Sequence, residues 1–154
     1  MITPTVGATI DTDGHPGFEA RAEGAAAIGG DVARAYLALA PGIGYSERRG
    51  ELYGTIAPEA GIDLGTLRPE NTSAPAMEGD IGVVYKPLIF SDGAQHGFGG
   101  VAEVFFATSR SAELVIGPRV EVDYMFPGLG EDGYPLFGLS LAIRYVPFRF
   151  AGWD

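Results

Sequence analysis

Residues 113–124, E-L-V-I-G-P-R-V-E-V-D-Y, alternate in character from one position to the next. Leu114, Ile116, Pro118, Val120, Val122 and Tyr124 take the even positions, while Glu113, Arg119, Glu121 and Asp123 take odd ones. Successive residues of a strand point to opposite faces, so the pattern predicts a strand with one charged face and one apolar face. Val115 is the one large apolar side chain on the charged side.

The same period of two recurs along the chain. It predicts strands over 3–11, 18–28, 33–45, 51–64, 80–90, 98–107, 113–124 and 137–150, eight in all and each long enough to cross a bilayer at a tilt. The alanine-rich second segment reads as strand because a helix would scatter Glu19, Arg21 and Glu23 around its circumference. Turn formers cluster at 12–17, 46–50, 91–97 and 125–136 on one side of the series, and at 29–31 and 108–111 on the other. These connections alternate long and short, and the 65–78 loop breaks that rule. Pro4, Pro41, Pro58, Pro87, Pro118 and Pro147 fall inside the strands, all on the apolar face. Each removes a ladder donor. A one-residue bulge would reverse parity, which survives across Pro58 and Pro118, so regular kinks of the wall are expected instead.

Composition supports an all-β chain of one domain, 1–154. The 24 Gly and 11 Pro work against long helices. No run approaches the roughly 18–20 apolar residues of a transmembrane helix. Met-Ile-Thr-Pro-Thr lacks the regions of a signal peptide, so an exported chain would be a mature form with a starting Met. A net charge of -10 with Lys86 as the one lysine argues against nucleic acid and against a basic lipid-binding patch. Without cysteine there are no disulfides, thiolate metal sites or cysteine nucleophiles.

The charges carry the decisive pattern. Eleven strand acids and five strand bases share one face, and only Arg149 falls on the other. Lipid contact would enforce that exclusion, since a charge facing mid-bilayer costs roughly 2–4 kcal/mol for Arg or Lys; a soluble sandwich would segregate its charges too. Phe18, Tyr45, Phe98, Phe106, Tyr124 and Tyr145 lie near strand ends, where an interfacial girdle belongs. Closing eight strands leaves no sticky edge and returns both termini to one side.

At this point the chain resembles the small OmpA/OmpX-type outer-membrane barrels. The resemblance rests on eight alternating segments, on Gly117-Pro118-Arg119, and on a last strand, 139–150, ending in aromatics like the family's terminal assembly signal. Here Ala151, Gly152, Trp153 and Asp154 follow Phe150, whereas the family signal usually ends the chain. The resemblance implies an eight-stranded antiparallel up-and-down transmembrane β-barrel in the bacterial outer membrane. It also implies a monomer that contacts membrane lipid and meets the outer-membrane assembly machinery through its C-terminal strand.

With the apolar face outward, eleven acids against five bases leave the lumen about -6. The expected network comprises Glu19, Arg21, Glu23, Arg34, Glu51, Glu59, Asp63, Lys86, Glu103, Arg119, Glu121, Asp123 and Arg144. Eight strands enclose a space just wide enough for side chains, so these residues are expected to plug it; a narrow cation leak is the functional alternative. Catalytic residues, metal and cofactor are not expected. His15 and His96 fall in turns on the outer side without the nearby Ser of lipid A deacylases. The Gly128-Gly130-Gly133 spacing matches a dinucleotide string but opens no helix, Asp11–Gly14 lacks most of a calcium loop, and Asn71-Thr72-Ser73 fits a glycosylation sequon. Two other readings stand beside the structural or adhesion-type barrel: a soluble lipocalin-like barrel binding a small apolar ligand, and a lipid-modifying outer-membrane enzyme using His15 or His96.

Overall fold

The computed structural model describes residues 1–30, 33–64, 77–107 and 114–145. Among them the chain forms eight strands: β1 (Ile2–Asp11), β2 (Pro16–Gly29), β3 (Arg34–Ser46), β4 (Glu51–Asp63), β5 (Met77–Phe90), β6 (Gly93–Ala107), β7 (Leu114–Met125) and β8 (Tyr134–Tyr145). Each pairs antiparallel with its sequence neighbours, and β8 closes on β1, giving an up-and-down barrel. The expected turn at 108–111, the sequon at 71–73, Glu113, Pro147, Arg149 and the terminal aromatic segment lie outside the described residues.

Connection lengths differ from expectation. The turn foreseen over 91–97 is only residues 91–92, because β6 begins at Gly93 and takes Gln95, His96 and Gly97 into the sheet. Likewise 125–136 shrinks to 126–133, and 12–17 to 12–15. Gly, Ser and Pro read as turn formers, yet the cross-strand ladder extends through them: Gly97 pairs with both Lys86 and Met125. The end bearing these connections is called the rim below.

The prolines neither bulge nor shift the register. Between β1 and β8 the pairs Ile2–Tyr145 and Thr5–Ala142 flank Pro4 in constant register with nothing paired between them. The same holds around Pro41 in the β2–β3 seam, around Pro118 in β6–β7, and around Pro58 and Pro87 in β4–β5. Each of these prolines keeps its partner on the other flank: Ala22, Ile56, Leu141, Leu39 and His96 respectively. A missing N–H thus interrupts one ladder and spares the other, so parity persists without a bulge. The four interrupted seams alternate with four continuous ones, β1–β2, β3–β4, β5–β6 and β7–β8. The barrel is therefore four unbroken hairpins, each turning at the rim, joined by interrupted seams.

Sidedness follows the predicted parity. Leu37, Ile43, Leu52 and Leu139 are 61–71% exposed on the outer wall, whereas Lys86, Arg119 and Arg144 are at most 2% exposed inside. Pro4, Pro41, Pro58 and Pro118 also face outward, with Pro87 half-buried.

Candidate functional site: the charged interior and the rim

The interior is built in layers, because each strand contributes an inward residue at every second position. At its centre Arg119 of β7 reaches four carboxylates: Glu59 and Glu103 at 2.6 Å, Glu121 at 3.0 Å and Glu23 at 3.1 Å. The Tyr36 hydroxyl donates to Glu59 at 2.5 Å. On the rim side, Lys86 lies 2.7 Å from Glu121, 3.3 Å from Glu19 and 3.4 Å from Asp123, while Arg21 bonds Glu121 and Glu19, both at 2.5 Å. On the far side Arg144 bonds Asp80 and, at 2.9 Å, Glu103, and stacks 4.0 Å over Phe105. Desolvated ions are tolerated only when paired, and each of these four cations has at least two carboxylates.

Of the thirteen residues expected in the network, ten take part in these ion pairs. Asp63 and Arg34 face each other across the β3–β4 register near the end opposite the rim, Asp63 buried and Arg34 half-buried. Glu51 belongs elsewhere: half-buried at the rim, it accepts from Arg49 at 3.2 Å and from the Ser91 hydroxyl at 2.9 Å.

Alternation reads the face of a residue but not its height, and it missed the layer that closes the rim end. Tyr53, Leu88, Phe90, Met125, Tyr134 and Leu136 form a buried apolar cluster packed by Leu129. Gly44 makes room for it, since a Cβ there would collide with the Tyr53 ring. Tyr53 joins the layers by donating to Glu19 at 2.8 Å. At the opposite end Phe105, Val115 and Ala142 form a second apolar cluster, which accounts for Val115 on the charged side.

Above the rim layer lies a clasp made by two consecutive arginines of the β3–β4 turn. Arg48 bonds Asp11 at 2.7 Å, Asp13, and Glu131 at 3.3 Å, with its guanidinium 4.3 Å over Tyr134. Arg49 bonds Asp92 at 2.6 Å and the Leu129 carbonyl at 3.3 Å, and stacks 4.7 Å over Phe90. Together they tie all four rim connections. Partial burial opposes the Arg48 charge, but hydrogen bonds and attraction from Asp11 and Asp13 outweigh it and hold its pKa above the ordinary arginine value. The alternation passed over these residues; the Arg48-Arg49 pair, in the turn of so acidic a chain, is the sequence signal that could have singled them out.

His15 sits in its turn with Nδ1 3.1 Å from Asp11, whose other oxygen accepts the Asp13 and His15 amides. Ligand atoms of Asp11, Asp13 and His15 lie within 4.8 Å of one another, but Arg48 already bonds both carboxylates. A cavity of about 20 Å³ beside them, lined by Thr9, Ser46, Tyr53 and Tyr134 among others, has room for about one water. Gly128-Gly130-Gly133 lies in the 126–133 loop, where Gly128 bridges Glu131. His96 is not a turn residue: it stands exposed on the outer wall within β6, with Nδ1 2.6 Å from the Tyr85 hydroxyl.

Eight closed antiparallel strands with charges within and aliphatic side chains without define an outer-membrane-type β-barrel fold. Among solved structures the chain is similar to the crystal structure of Neisserial surface protein A (NspA), with a TM-score of 0.52 over 94% of each chain and 13% sequence identity. At that identity the likeness speaks for the fold alone. No protein-family model and no curated protein matches the sequence.

Proposed function

We propose that the chain is an integral barrel of the bacterial outer membrane, monomeric and without catalytic activity, whose ion-paired interior blocks conduction and whose clasped rim carries a structural or adhesion-type role. The supporting observation is the inversion of the barrel: Arg119 and Arg144 are buried inside, while Ile28, Leu37 and Leu52 stand 66–82% exposed outside. In water such a continuous aliphatic wall would far exceed the few hundred Å² that a monomer tolerates. In a bilayer it is the contact surface. The soluble, lipocalin-like alternative needs an apolar chamber, and the interior holds ions instead.

A cation leak is the weaker reading. Four interior cations oppose passage, and the Tyr53–Tyr134 layer and the arginine clasp lie in series with them. Membrane lipid is the partner of the wall, and the assembly machinery that of the C-terminal strand; the acidic interior offers nothing to nucleic acid. The test is refolding into detergent and vesicles. The expected result is a compact band on unheated gels that shifts on boiling, precipitation without detergent, and no conductance steps in planar bilayers. A monomer soluble and β-structured in plain buffer would overturn the membrane reading, and steady cation-selective steps the blocked-lumen reading.

A further inference from the structure

The β4–β5 seam is unlike the others. Pairing stops after Gly54–Ile89 and resumes at Glu59–Val84, so residues 55–58 and 85–88 face each other unpaired, the longest interruption in the barrel. The constant register sets Pro58 opposite Tyr85 and Pro87 opposite Ile56, and neither proline has an N–H to give. On the inner side the Thr55 hydroxyl is buried without a partner. On the outer side, the Tyr85 ring stacks on His96, centroids 5.9 Å apart, in addition to their hydrogen bond. Among the described strand residues no Asp, Glu, Lys or Arg shares that outer face with His96.

We propose that Tyr85 and His96, beside this open seam, form a binding site for the phosphate-bearing headgroup of a membrane lipid; the proposal rests on the membrane reading above. Three features favour this occupant. The Tyr85 hydroxyl engages Nδ1 at 2.6 Å, so Nε2 is the ring nitrogen left to meet an acceptor outside the wall, and it does so as a donor in the tautomer where the hydroxyl donates to Nδ1. Phe98, Tyr124 and Phe126 lie near the pair, exposed at the height where aromatic side chains meet headgroups, while Ile81 and Val83, farther from the rim on the same strand as Tyr85, suit acyl chains. Headgroup hydroxyls would in turn satisfy seam carbonyls that the prolines leave without donors.

The test uses the full barrel refolded in maltoside micelles with isotope-labelled histidine. Short-chain phosphatidylglycerol, the matching diacylglycerol and inorganic phosphate are titrated separately. Expected is a saturable shift of the His96 ring signals with phosphatidylglycerol alone, with His15 as internal reference. His96→Ala, read on the bound lipid's phosphorus signal, should weaken binding about tenfold or more, and Tyr85→Phe by less. Equal response to diacylglycerol would overturn phosphate recognition. Equal response to inorganic phosphate would overturn the lipid as occupant, and unchanged affinity in His96→Ala the site itself. Heat-modifiable mobility of each variant checks folding: loss of it in the wild type would sink the membrane reading, whereas a folded wild type without a His96 response sinks only the site.

Discussion

Replacing Arg119 by methionine withdraws one guanidinium from among four carboxylates while keeping most of its volume. The consequences differ among them. Glu121 retains Lys86 and Arg21, Glu103 retains Arg144, and Glu59 retains the Tyr36 hydroxyl, but Glu23 loses its bonded cation. Breaking a buried ion pair by removing one partner costs about 3–5 kcal/mol. Because three of the four acids keep another partner, the loss is expected within that range rather than at a multiple of it. That corresponds to roughly two to four orders of magnitude in the folding equilibrium. The assay is urea unfolding from vesicles, with the folded fraction read as the compact band on unheated gels. Adding Glu23→Gln and Glu59→Gln to Arg119→Met should recover part of the loss, since neutral amides need no cation. An unchanged urea midpoint in Arg119→Met, or a triple variant no more stable than the single one, would refute the claim that Arg119 is the hub.

Val120→Arg places a charge on the outer wall midway along β7, where Val120 is 48% exposed; it should cost roughly 2–4 kcal/mol in bilayers and far less in micelles, and equal costs in both would count against a lipid-facing wall. Arg48→Ala should lower global stability by only about 1 kcal/mol, its pairs being partly solvated, yet speed amide exchange across residues 126–133, as high salt should in the wild type. Combined Phe90→Ala and Tyr134→Ala should leave planar bilayers silent, because the ion-paired layers beneath still fill the lumen, and conductance steps in that variant would show that the apolar layer is the barrier instead. Pro58→Ala with Pro87→Ala restores two ladder donors, each worth about 1 kcal/mol, and should raise the urea midpoint while reducing refolding yield; a lower midpoint would mean that the seam is open for another reason.

The period of two was enough to find all eight strands and to sort Glu19, Arg119 and Arg144 from Leu37 and Val120, because parity is a local property carried by side-chain type. Height and partnership are not local. Leu88 and Phe90 share parity with Lys86, yet they form the apolar layer above it, and nothing in the alternation separates the two roles. Arg48 meets Glu131, 83 residues away, only because closure brings the β7–β8 loop over the β3–β4 turn. His96 was misplaced because Ser91, Asp92 and the glycines at 93 and 97 imitate a turn, when both glycines are strand positions packed against Leu129 and Met125. The prolines defeated local reasoning altogether: whether a missing N–H does harm depends on which seam it faces, and that is set by pairing.

Their placement becomes intelligible once the hairpins are taken as the units of assembly. Before closure, each hairpin presents two free edges, and a free edge is a template for wrong pairing. Pro4 lies on the β1 edge, Pro41 and Pro58 on the two edges of the β3–β4 hairpin, Pro87 on the β5 edge and Pro118 on the β7 edge, so every hairpin carries at least one. Inside each hairpin the ladder runs unbroken, held in register by the rim turn. An edge proline denies a donor to any strand that docks there, which weakens a chance partner with only ladder bonds to offer. The correct neighbour adds the interior ion pairs: Arg119 of β7 reaches Glu23 on β2, Glu59 on β4 and Glu103 on β6, so one residue makes bonds into every other hairpin. A slip of one residue would turn Arg119 outward and forfeit all of them. Weakened seams and a shared buried hub thus divide the labour, the first disfavouring wrong closure and the second rewarding the single register in which the charges meet.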